Sequence, residues 1–288
     1  MPNGIIIIDK PADWTSMDVC AKLRGILRER RIGHAGTLDP MATGVLPVFV
    51  GSATRAVEFA EKGDKEYVAT LRLGLVTNTQ DTTGEVLEER SVSITAEELR
   101  AILPRFTGEL EQLPPMFSAI KIGGKKLYEL ARAGQEVERK VRRITIRELE
   151  LVEQKSETEF VLRVLCSKGT YIRALCHDIG QALGCGGCMS GLRRTMAAGF
   201  TLSQAVTLEM VQEQRDALLQ RVDSLFAHHA AYTITDPKQE KLCRNGAALR
   251  VPELTAGFYR VYSAEGEFLC LSQWEDGILT SRKNFFAG

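Results

Sequence analysis

Strand-like and helix-like patterns follow one another along this chain without the strict alternation of a parallel βαβ protein. Lys65–Leu73 has apolar residues at every second position, which is typical of a half-buried strand. Further strands are predicted at Gly4–Asp9, Val45–Val50, Ile144–Glu153 and Phe160–Ser167. Helices are predicted after a cap at Thr15 or Ser16, over Ala53–Glu61, from a Thr95–Glu98 capping box to about Phe106, and over Tyr171–Leu183. This mixture predicts an α+β fold.

Two segments break this rhythm. Gln112–Arg143 contains two prolines and a Gly123-Gly124 pair followed by basic sequence, and we interpret it as an excursion from the core. Thr207–His229 is predicted to be largely helical, and short β-like runs alternate with turn residues from about Tyr232 onward. We therefore predict a catalytic domain over residues 1–230, with an insertion at about 112–143, and a small β domain over residues 231–288.

Charge is balanced overall but unevenly distributed. The 288 residues include 37 Lys and Arg against 37 Asp and Glu, so net charge points to no class of ligand. Basic residues nevertheless concentrate in Cys20–Arg31 and in Lys121–Arg147. Such runs are compatible with a face that binds a polyanion, whereas a solvated surface is the more common explanation for any single run.

The apolar runs and the cysteines indicate the compartment. The longest apolar runs, Ile5–Ile8 and Val45–Val50, are far too short to span a membrane, and the N-terminus lacks a basic region followed by a long apolar segment. Seven cysteines, an odd number, do not suggest a disulfide framework. We therefore expect a cytoplasmic protein with no membrane partner.

The most informative segment for function is Gly33–Val48, with the sequence GHAGTLDPMATGVLPV. Pro40 disfavours helical geometry at Asp39, and the glycines permit tight turns and close approach of a ligand. The loop is therefore suited to presenting one carboxylate, Asp39, and one imidazole, His34. On these grounds alone, Asp39 would more often be an Asx-turn residue than a catalytic group.

This segment closely resembles the signature of TruB-type tRNA pseudouridine synthases. Further segments in the family order extend the resemblance over residues 4–200: IIIIDKPADWTS, DKEYVATLRLG, TNTQDTTG with Asp81, PPMFSAIKIGGKKLYELAR, CSKGTYIRAL and GLRRT. The resemblance implies a large mixed, mainly antiparallel sheet flanked by helices, with a small C-terminal β domain similar to an RNA-binding domain. It also implies isomerisation of the T-loop uridine at tRNA position 55 to pseudouridine.

The resemblance further implies roles for individual residues. Asp39 would be the catalytic carboxylate, Tyr67 would stack on the flipped uracil and accept a proton, and Arg173 would pair with Asp39. The other residues expected to bind the substrate are His34, Tyr171, Leu192, Lys10 and Arg55. Two positions depart from the family pattern, because Arg55 stands where Lys is frequent and Phe117 replaces a Tyr and so lacks its hydroxyl.

The implied reaction breaks the N1–C1′ bond and rejoins the base through C5, without a net change in atoms or redox state. We therefore expect neither a cofactor nor a metal. Cys185 and Cys188 form a CxxC near Cys176 and His177, but the sequence has no second CxxC and no zinc-deaminase pattern. A Gly-rich turn with free thiols is therefore preferred to a zinc site.

The expected partner is tRNA, bound through its T-arm stem-loop, which the basic insertion would grip. We expect a monomer without an obligatory protein partner. Two alternatives stay open: a tRNA-binding or folding factor without catalysis, and a related synthase that acts inside a guide-RNA complex. The presence of Asp39, Tyr67 and Arg173 opposes the first, and the short C-terminal domain without long basic tails opposes the second.

Overall fold

The structure is a computed structural model that describes residues 2–286. The strands in this range are β1 (Gly4–Lys10), β2 (Ile32–His34), β3 (Thr43–Val50), β4 (Lys65–Leu73), β5 (Leu75–Thr77), β6 (Val86–Glu89), β7 (Gly108–Gln112), β8 (Lys121–Ile122), β9 (Lys125–Lys126), β10 (Arg142–Gln154), β11 (Glu159–Cys166), β12 (Gly187–Ala197), β13 (Phe200–Thr201), β14 (Ala230–Thr233), β15 (Leu249–Arg250), β16 (Gly257–Tyr262), β17 (Phe268–Glu275) and β18 (Ile278–Asn284). The α-helices are α1 (Ser16–Leu27), α2 (Val57–Lys62), α3 (Ala96–Ile102), α4 (Leu127–Arg132), α5 (Ile172–Ala182), α6 (Leu208–Gln214) and α7 (Pro237–Arg244). Short 3-10 helices cover Gly51–Ala56, Leu103–Phe106, Leu202–Gln204, Arg215–Leu218 and Val222–Phe226.

The main sheet is mixed but mainly antiparallel. Within residues 2–286 it has nine strands, with the principal order β1-β3-β12-β4-β11-β10-β7, while β2 pairs with β3 and β13 pairs with β12. The pairing between β3 and β12 is parallel and brings Arg194 opposite Gly44. A second sheet, of order β14-β16-β17-β18-β15, forms the C-terminal part of the chain. The predicted α+β class and its large mixed sheet are therefore confirmed, whereas the division at residue 230 stays a prediction.

The N-terminal strand is buried on both faces. On one face, α1 is capped by Thr15, one of the two caps predicted, whose side chain accepts a hydrogen bond from the Asp18 backbone in a capping box. This helix packs Val19 and Leu23 against alternate residues of β1 and β3. On the other face, the remaining residues of β1 and β3 share a cluster with Leu271 and Phe285 of the C-terminal sheet. The second sheet is thus attached to the main sheet through apolar contacts.

The predicted alternation of β4 is confirmed over its whole length. Tyr67, Ala69, Leu71 and Leu73 are buried on one face, where they join residues of α3 and α5 in the largest apolar cluster. Leu38 of the Gly33–Val48 segment belongs to the same cluster. The core that stabilises the sheet therefore also fixes the segment singled out by the sequence.

One central strand was not predicted. The segment Gly187–Ala197 lies between β3 and β4 as β12, although its sequence, GCMSGLRRTMA, lacks apolar alternation. Two irregularities, between Met189 and Gly191 and between Arg194 and Met196 in the register with β4, remove a simple period of two. Gly187 and Cys188 both lie in this strand, so the expected Gly-rich turn does not extend over the whole CxxC.

Other elements differ from the predictions in extent. Arg142 and Arg143 begin strand β10 and pair with β7, so they are part of the main sheet rather than of a free excursion. Ile32–His34 forms a short strand, β2, within the predicted loop. The helix predicted over Ala53–Glu61 begins as a 3-10 helix, and α-helix within Thr207–His229 is confined to α6. These differences concern short or polar segments, in which packing rather than local pattern decides the structure.

Candidate active site

The loop between β2 and β3 presents Asp39 at the surface of the main sheet. Ser16 of α1 anchors it, because its hydroxyl accepts a hydrogen bond from the Leu38 backbone over 2.9 Å. The backbone nitrogen of Asp13 and the ammonium of Lys10 both donate to the Pro40 carbonyl, over 2.9 and 3.1 Å. Hydrogen bonds thus fix the backbone of Leu38 and Pro40, on either side of Asp39, while 37% of the Asp39 side chain remains exposed.

Lys10 is a buried cation under this loop. Its side chain is fully buried, and the ammonium also donates to the carbonyls of Pro11 and Trp14 over 2.8 and 2.6 Å. Burial lowers the pKa of Lys10 to about 8, while the nearby carboxylates of Asp13 and Asp39 oppose the change. Lys10 thus contacts the backbone of the loop, and its expected contact with the substrate stays a prediction.

Arg173 binds Asp39 through two nitrogens. Arg173 lies in the first turn of α5, and its Nε is 2.9 Å from Asp39 Oδ2 while its Nη2 donates to Oδ1 over 3.3 Å. The guanidinium also donates to the carbonyls of Thr79 and Phe117 over 3.0 and 2.8 Å. Because Arg173 is only 5% exposed and makes four polar contacts, its orientation toward Asp39 is fixed.

A second carboxylate lies close to this guanidinium. Asp81, between β5 and β6, is buried, and its Oδ2 is 3.7 Å from Arg173 Nε. Its Oδ1 accepts hydrogen bonds from the Thr79 and Thr83 hydroxyls and from the Thr83 backbone. From the sequence, Asp81 was identified only as part of TNTQDTTG, without a role. The signal that could have identified it is a lone acid between threonines in a segment shared with the family.

Tyr67 lies in the centre of the sheet beside a buried arginine. Burial raises the pKa of the Tyr67 hydroxyl, and the positive charge of Arg194 opposes this rise. Arg194 faces Tyr67 across the β4–β12 pair and is fully buried. Its Nε donates to the Val45 carbonyl over 2.7 Å and its Nη2 to the Gly36 carbonyl over 2.9 Å. Arg194 thus connects β12 to the Asp39 loop, a connection that the sequence analysis did not predict.

The remaining predicted residues are brought near this centre to different degrees. Leu192 lies opposite Ala69 and packs on the cluster that contains Tyr67. His34 forms the end of β2, where burial, followed by the charge of Arg194, lowers its pKa, and its Nδ1 has no hydrogen-bond partner among residues 2–286. Tyr171 precedes α5, and its backbone exchanges two hydrogen bonds with the side chain of Gln112.

Arg55 is placed elsewhere. Its side chain is exposed, and its Nη1 donates to the Asn284 carbonyl in the C-terminal sheet over 3.3 Å. Within the described part of the chain, the Arg55 guanidinium forms this one hydrogen bond. Arg55 is not part of the polar network around Asp39. The structure therefore brings seven of the eight predicted residues to the region of the loop and joins Arg55 to the second sheet.

The cysteines form no visible metal centre. In residues 2–286 no three His, Cys, Asp or Glu side chains are grouped as metal ligands, and all seven cysteines are free and buried. Burial raises the pKa of Cys185, and raises that of Cys188 to about 11, so both thiols are protonated at neutral pH. No helix in the described range is both long and apolar enough to cross a bilayer.

These residues form a site with one accessible carboxylate, a buried guanidinium that binds this carboxylate through two nitrogens, and a buried phenol next to apolar side chains. Such a site suits a reaction that needs a single anionic group and movement of protons. The sequence over residues 24–172 matches the family model described as TruB family pseudouridylate synthase (N terminal domain), and residues 173–226 match tRNA pseudouridylate synthase B C-terminal domain. The chain belongs to the TruB family of pseudouridylate synthases. It is therefore an isomerase, because uridine and pseudouridine have the same composition.

Similar proteins support this family assignment over nearly the whole chain. A tRNA pseudouridine synthase B from Azoarcus sp. (strain BH72) is 45% identical over 285 residues, which cover 98% of this chain and 94% of the relative. One from Ralstonia nicotianae is 43% identical over 289 residues, covering 96% and 92%. Among solved structures, an H/ACA RNP bound to a substrate RNA containing 2′-deoxyuridine gives a TM-score of 0.75 at 25% identity, covering 99% of this chain and 85% of that one. A Cbf5-Nop10-Gar1 complex gives 0.74 at 26% identity, covering 98% and 85%.

Proposed function

We propose that this protein isomerises the T-loop uridine at position 55 of tRNA to pseudouridine, with Asp39 as the catalytic carboxylate. The observation that carries the proposal is the pair of contacts between Asp39 and Arg173. Asp39 lies in a loop in which hydrogen bonds fix the residues on either side of it. The loop presents Asp39 outward, whereas the guanidinium behind it is buried. The Asp39 carboxylate can therefore contact a nucleotide that enters from solvent.

The reaction requires that the uridine leave the stacked loop, which costs on the order of a few kcal/mol. We propose that stacking on Tyr67 and contact with Leu192 offset this cost, with His34, Tyr171 and Lys10 also binding the substrate or supporting the loop. Asp39 then acts at the sugar while the N1–C1′ bond breaks. The base rotates, C5 bonds to C1′, the C5 proton is removed through the Tyr67 hydroxyl, and N1 gains a proton. Atoms and electrons balance without a cofactor or a metal.

The burial of Tyr67 is consistent with this role. Because burial raises its pKa, the hydroxyl is neutral at physiological pH. The ring of the neutral phenol can stack on the uracil. Its hydroxyl can accept a proton only if it passes its own proton to another group. Arg194, directly across the strand pair, stabilises negative charge that develops on the phenol oxygen during that transfer. Tyr67 and Arg194 would thus act as one unit.

We propose that the basic excursion, which lies between strands β7 and β10 at residues 113–141, grips the T-arm. It contains a hairpin of β8 and β9, whose turn residues Gly123 and Gly124 both have positive φ, followed by α4. Lys121 and Lys125 are exposed on the hairpin, so their charges are available to phosphate groups. The excursion also reaches the candidate site, because the Phe117 carbonyl accepts a hydrogen bond from Arg173.

The protein is further proposed to act in the cytoplasm as a monomer, without a guide RNA or an obligatory protein partner, and to use residues 231–288 as an additional RNA-binding domain. The relatives of more than 40% identity are named for tRNA, which favours this proposal over a guide-RNA complex. The two solved complexes share the fold at lower identity, so they bear on architecture more than on the mode of action.

The experiment is to map pseudouridine in an unmodified tRNA transcript after incubation with the purified protein alone. Wild type should modify the T-loop uridine, whereas Asp39→Asn should bind the same RNA and form no product. Asp276→Asn is the matched control, because it makes the same change in an exposed turn of the C-terminal sheet and should keep wild-type activity. Product formation by Asp39→Asn would overturn the catalytic assignment, and binding without product by wild type would favour the binding-factor alternative.

A further inference from the structure

A basic cleft lies beside the Asp39 loop, and the proposed reaction does not use it. Its volume is about 570 Å³, and its lining includes Gly36 of the loop, the four cations Lys65, Arg142, Arg143 and Lys168, and a single acid, Glu61. The cations come from three separate parts of the chain: the start of β4, the start of β10 and the turn after β11. A concave site with four cations and one acid is suited to an anion.

These cations differ from their neighbours in lacking acidic partners. On the same strands, Arg163 is paired with Glu66, Glu148 and Glu150, and Arg147 with Asp64. In contrast, none of the four cleft cations forms an ion pair with a carboxylate in residues 2–286 at the 4.0 Å limit. Acidic and basic residues are equal in number in this chain. The presence of four cations without carboxylate partners in one cleft is therefore not a consequence of the overall charge.

Two of the charges near the cleft are buried. Lys65 is 7% exposed, and its ammonium donates to the carbonyls of Glu61 and Gly63 over 2.8 and 2.6 Å. Arg194 lies behind Gly36, fully buried, with two backbone carbonyls as acceptors. Burial, followed by the charge of Arg194, lowers the pKa of Lys65, so the two cations destabilise each other in the free protein. An anion in the cleft would relieve this repulsion.

We propose that the cleft binds a backbone phosphate of the RNA close to the target nucleotide. The inference rests on the proposed function for the identity of the RNA. Gly36 is three residues from Asp39 in the same loop and accepts a hydrogen bond from Arg194, which faces Tyr67. A nucleotide at Asp39 therefore brings a neighbouring phosphate to the cleft. Because the contact is with the backbone, it fixes the position of the nucleotide without reading its base.

The test asks whether removing cleft cations from the protein and removing the charge of a single phosphate from the RNA affect the same contact. A set of T-arm stem-loops is prepared, each with one phosphate near the target uridine replaced by an uncharged methylphosphonate. Their affinities are measured for wild type and for Arg143→Ala with Lys168→Ala, two exposed positions in the cleft. The matched control is Arg105→Ala with Lys155→Ala, which also removes two exposed cations but lies outside the cleft lining.

At one position the methylphosphonate should weaken wild-type binding about tenfold, since one contact between a cation and a phosphate is lost. The cleft variant should bind the natural stem-loop about tenfold to a hundredfold more weakly and lose nothing further at that position. The control should behave as wild type, and Arg143→Lys with Lys168→Arg should restore affinity. The inference would be overturned if, at every position, the methylphosphonate weakened RNA binding by the cleft variant as much as it weakens binding by wild type.

The same stem-loops separate this inference from the proposed function. Pseudouridine is measured in the natural stem-loop with wild-type protein. If product forms but no position shows coupling, the cleft inference fails and the proposed function stands. If coupling is found but no product forms, the cleft binds RNA as inferred and the proposed catalysis fails.

Discussion

Removal of Arg173 should leave two carboxylates to repel each other. Because Arg173 Nε is 2.9 Å from Asp39 Oδ2 and 3.7 Å from Asp81 Oδ2, these oxygens are at most about 6.6 Å apart. Two negative charges at that separation repel by about 2.5 kcal/mol at an effective dielectric of about 20, and by about 0.6 kcal/mol in water. Since 37% of the Asp39 side chain is exposed, we expect a value of about 1 kcal/mol.

The perturbation is Arg173→Met, which removes the charge and keeps much of the side-chain volume. Arg173→Met should be less stable than wild type, because the attraction of the guanidinium for both carboxylates is lost while their mutual repulsion stays. Adding Asp81→Asn removes one of the two charges at nearly constant shape, so the double variant should regain about 1 kcal/mol of stability relative to Arg173→Met.

The assay is urea unfolding at neutral pH, with single-turnover formation of pseudouridine in a T-arm stem-loop at saturating protein as a second measurement. The limiting rate should fall in both variants, because Arg173 also binds the Thr79 and Phe117 carbonyls. The loss of stability in Arg173→Met should stay below the roughly 3–5 kcal/mol typical of a fully buried broken pair. Arg105→Met, at an exposed position, serves as control. An Arg173→Met variant as stable as wild type, or one that Asp81→Asn does not stabilise, would refute the reasoning.

Three further outcomes are expected. Tyr67→Phe should lower turnover by about 10²-fold or more with little change in RNA affinity, and an equal loss of both would make Tyr67 a positioning residue only. The free energy of unfolding of Lys10→Met should depend less on pH than that of wild type. The pKa of Lys10 is about 8 in the folded protein and about 10.4 in the unfolded chain. Between these pH values the unfolded chain binds an extra proton. The stability of wild type therefore rises with pH through this window, by at most about 3 kcal/mol. Parallel curves in urea unfolding at about pH 7.5 and 10 would contradict this. Phenanthroline, or Cys185→Ala with Cys188→Ala, should leave activity unchanged, and a stoichiometric metal in the wild type would oppose that expectation.

The sequence predicted best those elements whose pattern is local. The alternation of Lys65–Leu73 matches β4 residue for residue, Thr15 is one of the two caps predicted for α1, and the predicted capping box at Thr95 marks the start of α3. The segment Gly33–Val48 indicated where a carboxylate would be presented, because glycines and Pro40 restrict the backbone directly. These signals need no knowledge of the rest of the chain.

What could not be predicted depends on contacts between distant segments. Strand β12 contains Arg194, which a strand pattern would place in solvent, yet it is buried because the carbonyls of Gly36 and Val45 accept its hydrogen bonds. Asp81 is brought to Arg173 by the packing of the β5–β6 hairpin against α5 and β12, which no local spacing shows. The pairing of Arg142 and Arg143 with β7 is equally non-local. In each case the partner lies at least 30 residues away.

The position of β12 also determines when this protein can become complete during its synthesis. Its neighbours in the sheet, β3 and β4, are made early, whereas Gly187–Ala197 leaves the ribosome more than a hundred residues later. Until then the facing edges of β3 and β4 have no strand between them, and the Gly36 and Val45 carbonyls lack the guanidinium that fixes them. The Asp39 loop therefore reaches its final form only after Gly187–Ala197 has been made, and until then the nascent chain must keep two unpaired edges from aggregating.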